Sequence, residues 1–454
     1  MPEIAPVLVW FRRDLRLDDN PALAAAAARG PVVPVFVWSP EEEGASAPGA
    51  AARWWLHRSL EALDAELKKK GLSLVVRRGP VRRALVELAR ETGAKAAAWS
   101  RVWEPALREQ ERSVAEALRA AGVEALEQRA NLLFEPDAVK TLDGRPYRVF
   151  TPYWNRCAQA PAPPAPAGPA GALRAVPKPA KSLALAELGL LPRIAWHLSL
   201  EKHFVPGEPA AKAALKEFAR ERLADYRTAR DFPAADGVSR LSPRLHFGEL
   251  SVLRVWKEAS GGAGSPGEKG GYLSELGWRD FAAHILHHFP KTIEEPLDPR
   301  FADFRWRRDE KGLEAWRRGR TGFPIVDAGM RELWATGWMH NRVRMIVASF
   351  LAKDLLLSWR EGAAWFMDTL VDADLASNTL GWQWAAGCGA DAAPFFRIFN
   401  PEQQLKRWDP DLAYVRKWIP EYDLGYPEPM LDHAEARARA LVAFGESGGR
   451  HAGR

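Results

Sequence analysis

Asp372, Asp374, Asn378, Trp382, Trp384 and Arg397 fall in and just before one stretch, DLASNTLGWQWAAGCGADAAPFFRIFNP (374–401). On a helix Asn378 and Trp382 stand at i and i+4 and share a face, whereas Trp382 and Trp384 point about 200° apart. The two indoles therefore serve different places. Two carboxylates near Arg344 can hold its guanidinium, and one can also accept a hydrogen bond from an acidic N–H of a ligand. The same acids also suit a capped helix start with ordinary surface charges. The pattern specifies a pocket but not its occupant.

Three further stretches carry similar mixtures. In YLSELGWRDFAAHILHHFP (272–290), Glu275, Trp278 and Arg279 lie at i, i+3 and i+4 on one helix face. They suit a base-stacking and hydrogen-bonding surface, or a surface salt bridge shielded by an indole. His284, His287 and His288 follow without HExxH spacing, so no metal site is expected. In GWMHNRVRMIVASFLAKDLLLSW (337–359), Asn341 and Met345 share a face, flanked by Arg342 and Arg344. This suits a polar site with a soft apolar wall, or a solvated helix start. In RDFPAADGVSRLSPRLHFGELS (230–251), Ser239 and Ser242 flank Arg240. Hydroxyls and backbone N–H groups at a helix start suit a phosphate, and equally a loop with an N-cap.

The elements that must position these residues divide the chain. VLVWF (7–11), PVVPVFVW (31–38), LSLVVRRG (72–79) and KAAAWS (95–100) read as buried strands, alternating with helical runs that each end at Gly. Such alternation predicts a parallel, helix-covered sheet, with any ligand beyond the carboxyl ends of its strands. No GxGxxG or Walker sequence appears, so an ordinary dinucleotide or NTP site is unsupported. The Pro- and Ala-rich segment 158–179 predicts an extended surface linker. Beyond it the strand signal vanishes. Helical patterns run from about Glu208 to Leu370, interrupted by SGGAGSPGEKGG (260–271), which is expected to be a flexible loop. The segment after His433 is expected to form one short helix and a frayed end. The resulting partition is an α/β domain over 1–133, a linker over 134–207 and an all-helical domain over 208–454.

Composition narrows the function classes. The 454 residues carry a net charge of +6, a sign that suits a polyanionic partner or plain solubility. Two cysteines, Cys157 and Cys388, cannot build a disulfide framework or ligate an iron–sulfur cluster, and a reducing compartment is expected. The N-terminus turns charged after one short apolar run, unlike a signal peptide, and no run is long enough to span a membrane. Twenty Trp against seven Tyr exceeds what core packing alone explains.

Together, WFRRDLRLDDNPAL, DGVSRLSPRLHFGELS, ELGWRDF, GWMHNRVRM, DADLASNTLGWQWAAGCGADAAPFFRIFNP and YVRKWIPE resemble the photolyase/cryptochrome family, in order and over nearly the whole chain. FVWSPEEEG, RWWLHRSL and NTLGWQWAAGCGADAAP are most similar to the bacterial class III group of cyclobutane pyrimidine dimer photolyases. The resemblance implies a Rossmann-like five-stranded parallel sheet and a helical domain holding FAD, active when reduced. It implies that a pyrimidine dimer is flipped out of UV-damaged DNA and split by light-driven electron transfer. Tyr226, Val238, Ser239, Arg240, Leu241 and Ser242 would hold the FAD phosphates. Asp372, Asp374, Arg344 and Arg279 would serve its flavin and ribose side. Asn378 would face flavin N5 and favour the reduced state. Trp278 and Trp384 would sandwich the dimer, and Glu275 would bond the thymine edge beside Asn341 and Met345. Arg230, Arg342 and Arg397 would grip phosphates, with Gln404 near the DNA. Trp382, Trp359 and Trp306 would conduct electrons from the surface to the flavin.

Some positions depart from the family pattern. Val238 stands where Thr is usual, and Leu405 and Lys406 replace other residues in PEQQLKRWDP. VWEPALRE (102–109) lacks the Asn-Glu pair of some folate-binding members, yet the class III resemblance implies an antenna, with 5,10-methenyltetrahydrofolate expected and deazaflavin, FMN or an empty site as the alternatives. The resemblance further implies a cytoplasmic bacterial monomer with no membrane association. A cryptochrome-type light sensor is the alternative. Asn378, Glu275, Met345 and the lack of a long C-terminal extension speak against it. Asn341, where (6-4) repair is expected to use His, speaks against that chemistry.

Overall fold

The computed structural model describes residues 4–167, 170–392 and 396–451. Gly168 and Pro169 of the expected linker, and 393–395 of the acid- and Trp-rich stretch, lie outside them. Five parallel strands form one sheet: β1 (Val7–Trp10), β2 (Val32–Trp38), β3 (Val75–Arg78), β4 (Ala96–Ser100) and β5 (Glu124–Gln128), in the order β3-β2-β1-β4-β5. β1, β2 and β4 are buried along their whole length, as continuous apolar runs require when helices cover both faces. β5 reads EALEQ, is half-exposed at the sheet edge, and has too little alternation to be legible as a strand. Order reverses between β1 and β4, so the crevice beyond their carboxyl ends is where the loop bearing Arg12 and Arg13 emerges.

The remainder is helical. The long helix Pro266–His288 begins inside the segment expected to be a flexible loop. Ser265 caps it by accepting from the Glu268 N–H and Pro266 occupies its first turn, a start signal that outweighs the neighbouring glycines. The helix His433–His451 is likewise longer than the expected short one. Its first residue pairs with buried Asp354 through His433 Nδ1, 2.5 Å from Asp354 Oδ1. The linker region contains a helix, Phe150–Ala158, that packs against the 266–288 helix.

The two halves meet along a backbone seam. Leu15 donates its N–H to Phe247 O at 3.0 Å, and Arg16 Nη1 donates to Gly248 O at 3.0 Å. Gly248 has φ +68°, and a Cβ there would lie 2.0 Å from the carbonyl oxygen of Arg13, so only glycine closes this seam.

Asp280 fastens the linker to the 266–288 helix. It is fully buried, and its Oδ2 accepts from Phe134 N at 2.8 Å. Burial pushes this carboxyl up to about 7, against the pull of Arg279 and the Phe134 N–H. The folded chain therefore holds a proton that the unfolded chain releases at lower pH, so this group's contribution falls as pH rises towards 7. Asp280→Asn is expected to flatten that decline, read as the slope of unfolding free energy in urea between about pH 5 and 8. An unchanged slope would show that Asp280 is already ionised at pH 5.

Candidate active site

A cavity of about 690 Å³ opens within the helical half, in the upper range for small-molecule sites. Asp372 and Asp374 sit where the helix Leu375–Ala386 begins. Arg344 Nη2 donates to both Asp372 oxygens at 3.1 and 2.9 Å, and its Nε donates to Met339 O at 2.7 Å. The Ser242 hydroxyl also donates to Asp372. Asp374 caps the helix by accepting from Ser377 N at 2.8 Å, and its second oxygen lies 3.3 Å from His246 Nδ1. Burial opposes its ionisation, but His246, Arg279 and the Ser377 N–H outweigh it and hold the carboxyl well below the usual range. For Asp374, cap and cavity wall are thus both true. Asn378, one turn on, donates its amide to Ala363 O at 3.0 Å and lines the same cavity.

A second wall comes from the turn 238–242. Arg240 adopts φ +51°, strained for a residue with a side chain, and its guanidinium lies 4.8 Å from the Trp338 ring. Its Nε is buried without a hydrogen-bond partner among the described residues. Ser239 Oγ accepts weakly from Leu241 N at 3.4 Å, and Val238 lines the wall beside them. Tyr226 is buried beneath Arg230, 5.1 Å from its ring, and burial raises its phenol.

At the mouth, Arg230 donates to Glu275. Trp278 stacks on Phe150 with centroids 3.9 Å apart and planes 12° from parallel, and Phe150 stacks in turn on Trp154. The indole therefore has a rigid backing from the linker helix. Opposite in sequence, Trp384 carries Arg397 over its ring at 5.5 Å and adjoins Met345 in a small side cavity. Arg342 pairs with Asp231 at 2.6 Å and lies 4.6 Å over Trp408. Asn341 and Arg279 complete the lining.

All the sequence-derived candidates line this cavity except Gln404, Trp359 and Trp306. Gln404 accepts from Trp408 Nε1 at 3.0 Å, under Arg342, so it stands one residue behind the rim. Trp382 is buried against Phe366 and Trp316, at 5.0 and 6.0 Å. Gly362 makes room for it, since a Cβ there would lie 2.0 Å from the indole. Trp359 opens the same helix, Trp359–Thr369, one turn before Gly362. Trp306 is half-buried, and its neighbour Arg307 bonds to Leu356 O and bridges Leu357. Trp359 and Trp382 belong to one apolar cluster of the helical half, and Trp306 packs against it.

Sequence reasoning missed His246, Asp231, Phe150 and Phe366. His246 stood inside a quoted stretch, but a lone histidine in an apolar run carries no spacing signal. It also missed that Asp137 joins His287 and His288, with ligand-type atoms within 4.8 Å of one another, because their separation in the chain hides it. His284 is a packing residue. Burial lowers its ring to about 4, and its nitrogens face Pro136 O and Tyr147 N.

Sequence comparison agrees with this architecture. Residues 7–170 match the DNA photolyase family, and residues 272–424 match the FAD binding domain of DNA photolyase. The chain belongs to the photolyase/cryptochrome family. A deoxyribodipyrimidine photo-lyase of Agrobacterium fabrum is 44% identical over 97% of this chain and 98% of its own length. The crystal structure of a bacterial class III photolyase from Agrobacterium tumefaciens superposes with a TM-score of 0.94 at 42% identity, covering 98% of both chains. Cryptochrome-2 of Arabidopsis thaliana is 39% identical over 91% of this chain but only 70% of its own length.

Gly362→Ala should force Trp382 out of its slot and cost about 1–3 kcal/mol of stability, measured by urea unfolding. A neutral substitution would mean that the indole has room to move.

Proposed function

We infer that the chain is a light-driven carbon–carbon lyase that repairs cyclobutane pyrimidine dimers in UV-damaged DNA, with FAD in the large cavity. The observation that carries this reading is the meeting of two kinds of wall in one 690 Å³ space. One is a carboxylate–arginine–hydroxyl wall that suits a dinucleotide. The other is a mouth with two indoles and a carboxylate that suits a flipped-out pyrimidine dimer. The residues fit FAD. Arg240 Nε, without a hydrogen bond and 3.9 Å from Asp236 Oδ1, would gain a partner in a diphosphate, and Asp372, already fixed by Arg344 and Ser242, offers acceptor capacity to ribose or flavin groups. When bound and reduced, FAD supplies an electron that light lends to the dimer and that returns once the ring has opened.

The chain's own residues do the rest. Trp278, backed by Phe150, and Trp384 flank the dimer and exclude water from it. Glu275 accepts the imide N–H of a pyrimidine. Arg230, now its partner, brings positive charge to the place where negative charge develops. Asn341 and Met345 shape the pocket between them. Arg342 and Arg397 reach phosphates at the rim, and Gln404 supports Arg342 through Trp408. Asn378, fixed by Ala363 O, would present a neutral amide to flavin N5. Trp306, Trp359 and Trp382 form the reducing path from outside.

The division at residues 133 and 207, a monomeric state and a cytoplasmic site of action belong to this proposal. No helix among the described residues is long and apolar enough to cross a membrane. A 5,10-methenyltetrahydrofolate antenna also belongs to it. No step is routed through an antenna.

The primary test is repair of a thymine-dimer oligonucleotide by anaerobically reduced protein, in blue light and in darkness. Light-dependent recovery of thymine absorbance is expected. No recovery by FAD-loaded, photoreducible protein would turn the reading to a light sensor. Trp382→Phe should slow photoreduction at least about tenfold while chemically reduced enzyme still repairs. Lost repair with intact photoreduction would reverse the roles of the two indoles. Asn378→Asp should weaken accumulation of reduced flavin, and an unchanged redox titration would remove Asn378 from N5.

A further inference from the structure

We infer that Arg13, His246 and Asp374 form a hydrogen-bonded relay through which the α/β half fixes the orientation and charge of a carboxylate in the FAD cavity, with His246 as its positioning residue. The inference rests on the FAD reading of that cavity.

His246 lies at the end of the helix Ser242–His246 and is fully enclosed between the two halves. Its Nε2 is 2.6 Å from Arg13 Nη1, and its Nδ1 is 3.3 Å from Asp374 Oδ2. A guanidinium has hydrogens and no lone pair to give, so Nε2 must accept. The remaining ring proton therefore sits on Nδ1 and points to Asp374. Chemistry alone fixes the tautomer, and the ring is neutral. Burial and the neighbouring Arg13 charge lower its pKa in keeping with this.

Each end of the relay is anchored. Arg13 Nη2 donates to Ser46 O at 3.2 Å and lies 4.0 Å from Glu43, so the guanidinium belongs to the α/β half. Asp374 spends its other oxygen on the helix cap and borders both the large cavity and the small one between the halves. The seam at Leu15–Phe247 and Arg16–Gly248 holds donor and acceptor in register on either side of His246. The charged groups facing this chain are Arg13 and Glu104 from the α/β half and Arg279 from the 266–288 helix. Of these, Arg279 acts on Asp374 through charge. His246 donates a hydrogen bond to it, and so controls where its second oxygen points.

The test is FAD uptake by deflavinated full-length protein, followed by flavin fluorescence between about pH 5 and 8. Wild type should bind equally across the range, because Asp374 stays ionised. In His246→Leu the carboxylate loses its buried donor, its pKa rises, and affinity should become roughly tenfold weaker at the acid end than at the alkaline end. His246→Asn, whose amide can replace the Nδ1 donor, should restore a flat profile. If His246→Leu does not fold, His246→Phe keeps the bulk of the ring without a donor and should show the same acid-side weakening. A flat profile in whichever of these two variants folds overturns the relay. An equal loss at every pH marks mere packing and overturns it as well. Wild-type protein that takes up no FAD at any pH overturns the FAD reading, and the relay with it.

Discussion

The carboxylate of Glu249 is completely buried, and a buried charge persists only where enough donors surround it. Trp55 Nε1 at 2.9 Å and Ser59 Oγ at 2.6 Å reach it from the helix Ala50–Lys68 of the α/β half. Gly207 N reaches it at 2.7 Å from the end of the linker, and Arg244 Nη1 at 3.3 Å from the helical half. Three parts of the chain with separate sequence character therefore share one charge. Withdrawal of any one donor would leave the buried carboxylate short of a partner, so this one group ties the three parts together. The Ser242–His246 helix, which brings one residue to Asp372 and another to Asp374, starts only seven residues before Glu249 and takes its placement from this junction.

The cavity is built mainly from helix beginnings and a turn. Asp374 starts one helix, Asn341 another and Ser242 a third. Beginnings of helices offer polar groups on a rigid base, with the apolar remainder of each helix buried behind. This is why a polar site can sit inside a large aromatic core without disturbing it. Trp382 turns into that core while Trp384 remains at the mouth, so one short helix serves both the packing interior and the wet opening.

Much of this was legible from residue order. Three strands of the sheet were visible as unbroken apolar runs and a fourth, β3, as part of one, and the face shared by Glu275, Trp278 and Arg279 follows from helical period alone. β5 was not, because an edge strand half in water needs little apolar alternation. The start of the 266–288 helix was masked by glycines, although Ser265-Pro266 announces it. The largest gap concerns pairs distant in sequence. Asp372 with Arg344 could be guessed from charge, but Trp278 with Phe150, Arg342 with Asp231, and His246 with Arg13 depend on how the halves dock. No local period encodes that.

The Arg230–Glu275 pair bears on how a chain with the proposed function would pass over ordinary DNA. An arginine already satisfied by a carboxylate offers less free charge to any passing phosphate backbone. Under that proposal, undamaged duplex would present no base to Glu275 and give the pair no reason to part, whereas a lesion that supplied a hydrogen-bonding edge to the acid would free the cation at the same moment. Discrimination would then reside in the cost of opening the unliganded protein, and the resting surface would be kept from sticking to the vast excess of intact genome.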